Sequence, residues 1–157
     1  MALKLTTLAS IDRRFPDREA AVAHLESVRW PDGPICPYCG SRKASRNRDT
    51  SRALTDSRWQ CQDCARSYSV TVGTLFHGSH VELQRWFALL ALMRADEGLS
   101  SAAAARALKM RQPTVWSMMQ RVRAARAEDA ALLAGLAGRK KRKAPERAYL
   151  RARKSEP

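Results

Sequence analysis

The chain is short of acids, of cysteines and of long apolar runs. Its 157 residues carry 15 Asp and Glu against 29 Lys and Arg, a formal net charge of +14. Positive charge on that scale favours a polyanionic partner, either nucleic acid or an acidic membrane surface. The abundance of Arg beside Ala is in part compositional, but the basic residues are also clustered. The longest apolar-leaning stretch, Trp86 to Met93, is too short to span a bilayer. Residues 1–15 hold no long apolar segment of the kind a secretory leader needs. No membrane partner is therefore expected, and the sequence predicts a cytoplasmic, nucleoid-associated protein in a compartment that keeps thiols reduced. An aromatic-rich strand that could stack bases is also missing, which weighs against RNA.

Cysteine occurs four times, in two C-x-x-C pairs: Cys36 and Cys39 in CPYCG, Cys61 and Cys64 in WQCQDC. In each pair one tight turn can aim both sulfurs at a single ion, and the insert between the pairs has the length of a zinc ribbon. Two disulfides would satisfy the same count, but no oxidising compartment is implied. A redox C-x-x-C normally occurs once, beside a βαβ pattern. The expectation is structural Zn2+ on Cys36, Cys39, Cys61 and Cys64. Four thiolates fill the coordination sphere and leave no position for an activated water. Gly40 would supply the positive φ that the first turn needs.

Around this clip the chain divides into a helical N-terminal segment (1–30), the ribbon (31–76), a helical DNA-binding part (77–134) and a basic, disordered tail (135–157). Residues 1–14 carry little signal. A helix is expected from Phe15, with Pro16 in its first turn, Asp17 and Glu19 near its positive end, and Val22, Leu25 and Val28 on its buried stripe. His24 reads as an ordinary helix residue. In the ribbon, segments near Lys43–Asn47 and Arg58–Cys61 pair as a hairpin joined by Arg48–Asp56, and Tyr68–Val72 alternates as a third strand. So small a sheet buries little apolar surface and depends on its metal. Trp59 and Tyr68 are expected to cover the metal site. Ser79 and Glu82 fit a capping box. Leu83, Trp86, Phe87, Leu90 and Met93 follow at helical spacing, and Gly98 ends that helix. His77 and His80 read as turn and cap residues, not as a second metal site.

Ser100 caps a short alanine-rich helix to Leu108. Lys109-Met110-Arg111 makes a turn, and Pro113 opens a second helix. That is a helix-turn-helix pattern. Met110, Val115, Met119 and Val122 form its expected inward face. Gln112, Thr114, Trp116, Ser117, Gln120 and Arg121 face out, where the start of the second helix would meet base edges in a major groove. Arg106, Lys109, Arg111, Arg123 and Arg126 suit phosphates. A helical hairpin with a solvated basic face is the plainer reading of the same residues. Helix is expected to about Leu133, broken by Gly135 and Gly138. The run Arg139, Lys140, Lys141, Arg142 and Lys143 would then add sequence-independent phosphate affinity.

The strings FPDREAAVAHLESVRWPDGPICPYCGS and WQCQDCARSYSVTVGTLFHGSH, followed by these helices, resemble the N-terminal half of bacterial insertion-sequence transposases of the zinc-ribbon, DDE type. The likeness covers roughly residues 14–127. It implies zinc on the four cysteines, a recognition helix around Gln112–Arg121, and binding of element ends. The acidic catalytic domain of that family is not matched: after Asp129 the acids are Glu146 and Glu156, too few for two-metal strand transfer. The expectation is an α+β protein that is not an enzyme: a three-stranded zinc ribbon flanked by an N-terminal helix and a helix-turn-helix. Its expected partner is double-stranded DNA at element ends or promoters, and a homodimer would suit a palindromic target. A transcription adaptor docking on a protein through the ribbon, and the non-catalytic half of an active transposase, are the alternatives.

Overall fold

Trp30 stands where the helical and sheet parts of the molecule meet. Its ring lies edge-on to Tyr68 at 5.7 Å and to Trp59 at 6.5 Å, and it is buried at the end of the helix that precedes the ribbon. The computed structural model describes residues 2–46, 58–125 and 127–136. The expected connection Arg48–Asp56, together with Arg126, Gly138, Glu146, Glu156 and the basic run Arg139, Lys140, Lys141, Arg142 and Lys143, lies outside them.

Helix α1 (Ala2–Arg14) packs on α3 (Leu83–Ala95) through partly buried Leu8 and Ile11. Its sequence has a weak amphipathic pattern, so tertiary packing, not periodicity, accounts for it. Helix α2 (Arg18–Arg29) begins later than expected. The Asp17 carboxylate accepts the Ala20 N–H at 2.8 Å, which makes Asp17 the N-cap and leaves Phe15 and Pro16 outside. Phe15 is buried between α1 and α2 with its ring 4.9 Å from Phe87. The inward face of α2 is Ala21, Val22 and Leu25, with Val28 half-buried.

Three antiparallel strands follow in the order β1 (Ala44–Arg46), β2 (Trp59–Cys61), β3 (Ser67–Tyr68), with Ala44 opposite Cys61 and Trp59 opposite Tyr68. The third strand is much shorter than the alternation suggested. After Tyr68 the chain turns repeatedly through Gly78. Two competitors take the bonds a strand would use. Hydroxyls bond locally, Thr74 Oγ1 donating to the Thr71 carbonyl at 2.7 Å and Ser69 Oγ lying 2.9 Å from Thr71 Oγ1. Arg29 donates to the Val70 carbonyl at 2.6 Å.

The expected capping box at Ser79 and Glu82 does not form. Glu82 is itself the N-cap of α3, without a side-chain bond. The Ser79 hydroxyl accepts instead from the Trp86 indole and the Val81 N–H, both at 3.1 Å. Helix α3 buries more than one stripe. Leu83, Trp86, Phe87, Ala88, Leu89 and Leu92 are buried, while Leu90 and Met93, expected inside, are only half-buried. The reason is that α1, α2 and α4 (Ser101–Leu108) cover different sides of it. It stops at Asp96, whose carboxylate accepts from the Gly98 N–H at 3.1 Å.

Ser100 caps α4 as expected, accepting from the Ala103 N–H at 3.2 Å. Helix α5 (Gln112–Arg123) packs on α4, and α6 (Ala127–Leu136) packs on α2. Gly135, expected to break the chain, lies inside α6. There it gives room: a Cβ at Gly135 would meet Val28 Cγ1 at 2.5 Å. The buried residues of α2, the ribbon, α3, α4, α5 and α6 belong to one cluster, running from Leu25 through Cys61 and Leu89 to Met119 and Leu132. The α+β architecture with a three-stranded ribbon is therefore as expected, with helices on both sides of it in sequence. Among the described residues no helix is long and apolar enough to cross a membrane.

Candidate metal centre and nucleic-acid interface

Two similar turns build the metal centre. In the first, the Gly40 N–H donates to the Cys36 carbonyl and the Cys36 N–H to the Ser41 carbonyl, both at 2.9 Å, with Gly40 at φ +74°. In the second, the Cys61 N–H donates to the Arg66 carbonyl at 3.0 Å, and Ala65 takes the place of Gly40 at φ +57°. An L-residue held there costs about 1–2 kcal/mol. A hydrogen bond between the Ser41 hydroxyl and the Asp63 carboxylate ties the two turns together.

The turns bring all four sulfurs within 4.8 Å of one another. Cys36 and Cys64 are 3.7 Å apart, and Cys39 and Cys61 are 3.5 Å apart. A regular tetrahedron with Zn–S bonds of about 2.3 Å has edges of about 3.8 Å, so the set fits zinc. Disulfides need sulfurs about 2.05 Å apart, and all four thiols are free. Their acidities diverge. The Cys64 and Asp63 N–H groups draw the Cys61 thiol down to about 6. The Ser41 N–H acts on Cys39 in the same sense, but bonds from neighbouring thiols and desolvation hold it up at about 12. Four thiolates at this spacing need a cation among them. Cys36 and Cys61 are buried, and Cys39 is exposed.

Of the two rings expected over the metal, Tyr68 is the one whose phenol feels the cysteine cluster. Burial, and then the charges of the four cysteines, push its phenol up to about 12. Trp59 mainly fastens the ribbon to α2. Its indole N–H donates to Glu26 at 2.9 Å, Glu26 also pairs with Arg46 at 3.0 Å, and the Arg46 guanidinium lies 4.7 Å over the Trp59 ring.

The second candidate surface is on α4 and α5. The Lys109 N–H donates to Arg106 and the Met110 N–H to Ala105, with Lys109 at φ +54°, a Schellman closure with lysine where glycine is usual. Arg85 donates to the Leu108 carbonyl at 3.1 Å and holds this end of α4 on α3. Helix α5 buries Val115, Met118 and Met119. Of the expected inward face, Met110 and Val122 are half-buried, and Met118, not counted there, is inside.

Among the expected outward residues, Gln112, Trp116, Ser117 and Arg121 are exposed, Trp116 to 55%, and Thr114 and Gln120 are half-buried. Arg106, Lys109, Arg111 and Arg123 are exposed around them. Two carry internal bonds that the sequence did not show. Gln112 donates to Ser101 Oγ at 3.3 Å, and Arg121 donates to the Leu75 and His77 carbonyls, each at 3.4 Å. Tyr38, between the first two ligands, was not among the expected site residues. It is 47% exposed, with the Arg66 guanidinium 5.0 Å from its ring. Its position inside the C-x-x-C turn was the available signal.

Comparison with known proteins bears on the ribbon. The profile of the transposase zinc-ribbon domain matches residues 16–67. An uncharacterised protein in transposable element ISH50 of Halobacterium salinarum is 32% identical over 75 residues, covering 48% of this chain and 24% of its own length. The chain thus spans less than a quarter of the curated relative it matches. No solved structure matches significantly. With profile and sulfur geometry in agreement, residues 16–67 are similar to a transposase zinc-ribbon domain, and Cys36, Cys39, Cys61 and Cys64 hold a structural zinc.

Proposed function

We propose that the protein is a zinc-dependent binder of duplex DNA, of transposase descent, in which α4 and α5 act as a helix-turn-helix and α5 enters the major groove. The observation that carries this reading is the division of α5. It commits Val115, Met118 and Met119 to the core and leaves Gln112, Trp116 and Ser117 exposed on its N-terminal half. That half is the one that reads base edges in such motifs. Arg106, Lys109 and Arg111 flank it and would take phosphates. The bonds from Arg121 to its carbonyls are long enough to exchange for a guanine edge. The targets would be element ends or promoters, in the nucleoid, since the ISH50 relative belongs to a mobile element.

We assign binding rather than catalysis to this chain, because four thiolates leave the zinc no open position for substrate. Selection of duplexes from a random pool, followed by affinities for winner and random DNA across a salt series, tests the reading. Preference for the winner by about a thousandfold is expected. Gln112→Ala and Ser117→Ala should erode that preference, while Lys109→Gln should weaken all sequences alike. Equal affinity for every duplex would overturn base readout. Metal-dependent nicking of plasmid by the zinc-loaded chain would overturn the non-catalytic assignment. The relative's greater length favours one further reading: that this chain serves as the DNA-binding part of a larger transposase assembly.

A further inference from the structure

A cleft of about 540 Å3 separates the ribbon from the connector that leads to α3. Its rim carries Arg18 at the start of α2, Tyr38 in the first metal turn, Arg58 before β2, and His77 and His80 on the connector, with Glu82 the one carboxylate among the described residues that line it. Hydroxyls of Ser67, Ser69, Thr71 and Ser79 lie between them, and Val70, Phe76 and Leu83 form apolar parts of the wall. His77 lines the cleft, and its carbonyl accepts from Arg121 of α5 at 3.4 Å.

Size and chemistry together select the ligand. A space of about 540 Å3 is on the scale of a nucleotide, within the about 300–1,000 Å3 of pockets that hold small organic ligands. Cations along a groove with an aromatic face for the base are the means by which proteins hold unpaired strands. Tyr38 offers that face: nearly half its surface is exposed, and Arg66 lies against the ring. We propose that this cleft binds an unpaired nucleic-acid strand, phosphates on Arg18, Arg58 and the two histidines, and a base on Tyr38. The site is separate from the duplex surface of α5 and does not rest on that reading.

The test uses the zinc-loaded full chain and labelled oligo(dT) and oligo(rU), with a blunt duplex of equal length as a separate probe. Tyr38→Ala should weaken the preferred single strand by about fivefold or more, the effect of losing one stacked base, and leave duplex affinity unchanged. Tyr38→Phe should restore it. Because Tyr38 lies between two zinc ligands, Arg58→Gln serves as a second variant, expected to weaken the strand and flatten its salt dependence. Gln112→Ala and Ser117→Ala should not affect the single strand. Tighter binding of one oligomer identifies the strand as DNA or RNA. Single-strand affinity that is the same in Tyr38→Ala, Arg58→Gln and wild type overturns the proposal, as does its loss in the α5 variants. Failure of duplex binding alone would overturn the helix-turn-helix reading and leave this one standing.

Discussion

Replacing Gly135 by Ala sets two opposed effects against each other. In a helix interior Ala is better than Gly by about 0.8–1.0 kcal/mol. A Cβ at this position, however, falls 2.5 Å from Val28 Cγ1 and 3.8 Å from Val28 Cβ. Carbon atoms prefer about 3.5–4.0 Å, so α6 or Val28 must give way by about 1 Å. Val28 is β-branched and inside α2, where one χ1 rotamer is strongly preferred, so it cannot swing aside cheaply. Overpacking of this kind costs about 1–3 kcal/mol. The net expectation is destabilisation by about 1 kcal/mol. Urea unfolding of the zinc-loaded protein, followed by circular dichroism, should show a lower midpoint with an unchanged slope. Val28→Ala in the Gly135→Ala background should remove the clash, giving a favourable coupling of about 0.5 kcal/mol or more in a double-mutant cycle. A Gly135→Ala protein more stable by about 1 kcal/mol, with no coupling to Val28, would refute the close packing of α6 on α2 at this position.

Chelation of the zinc should unfold the ribbon, because structural sites of this kind contribute about 10–16 kcal/mol of apparent binding energy to folding. Persistence of the near-ultraviolet signal of Trp30, Trp59 and Tyr68 in metal-free protein would contradict this. His24 packs between Phe15 and Phe87, with ring centroids at 5.1 and 5.9 Å, and desolvation first, then Arg14, lowers its pKa below 6.5 against a raising bond to the Leu136 backbone. Between about pH 6.5 and its lower folded value the unfolded chain binds more protons. Stability from this group is thus full above about pH 6.5 and falls as pH drops through that window, and His24→Gln should flatten the dependence of the urea midpoint. Ala65→Gly relieves a left-handed residue at about 1–2 kcal/mol against an entropic cost of about 0.5–1 kcal/mol, so a gain of about 0.5–1 kcal/mol in the zinc-loaded protein is expected, and a lower midpoint would count against the turn geometry. Lys109→Gly should give a similar gain while reducing the salt slope of duplex binding by about one, and an unchanged slope would remove Lys109 from the phosphate contacts.

The metal centre was readable from sequence because its geometry is local. Each C-x-x-C turn is closed by bonds within six residues, Cys36 to Ser41 and Cys61 to Arg66, and a tetrahedral ion requires little more than two such turns. The start of α4 at Ser100 and the placing of Pro113 in the first turn of α5 were likewise legible, since caps and proline act on their own backbone. Elsewhere local rules met distant competitors. The hydroxyl of Ser79 suited a capping box until the Trp86 indole took it. Tyr68–Val72 alternated as a strand should, but Arg29, from 41 residues away, occupied the Val70 carbonyl. Helix α1 had no periodic signal because α3 supplies the surface that stabilises it.

The sequence by itself therefore determined the zinc ligands, the α+β class, the two helices joined by a short turn and the positive charge, all of which follow from spacing, capping or composition. Only the tertiary structure decided how these parts share one core, why Gly135 belongs inside a helix, that Arg121 reaches the connector, and that Tyr38, Arg58 and His80 line a single cleft. Those outcomes depend on which surfaces meet, and close packing settles that among residues far apart in the chain.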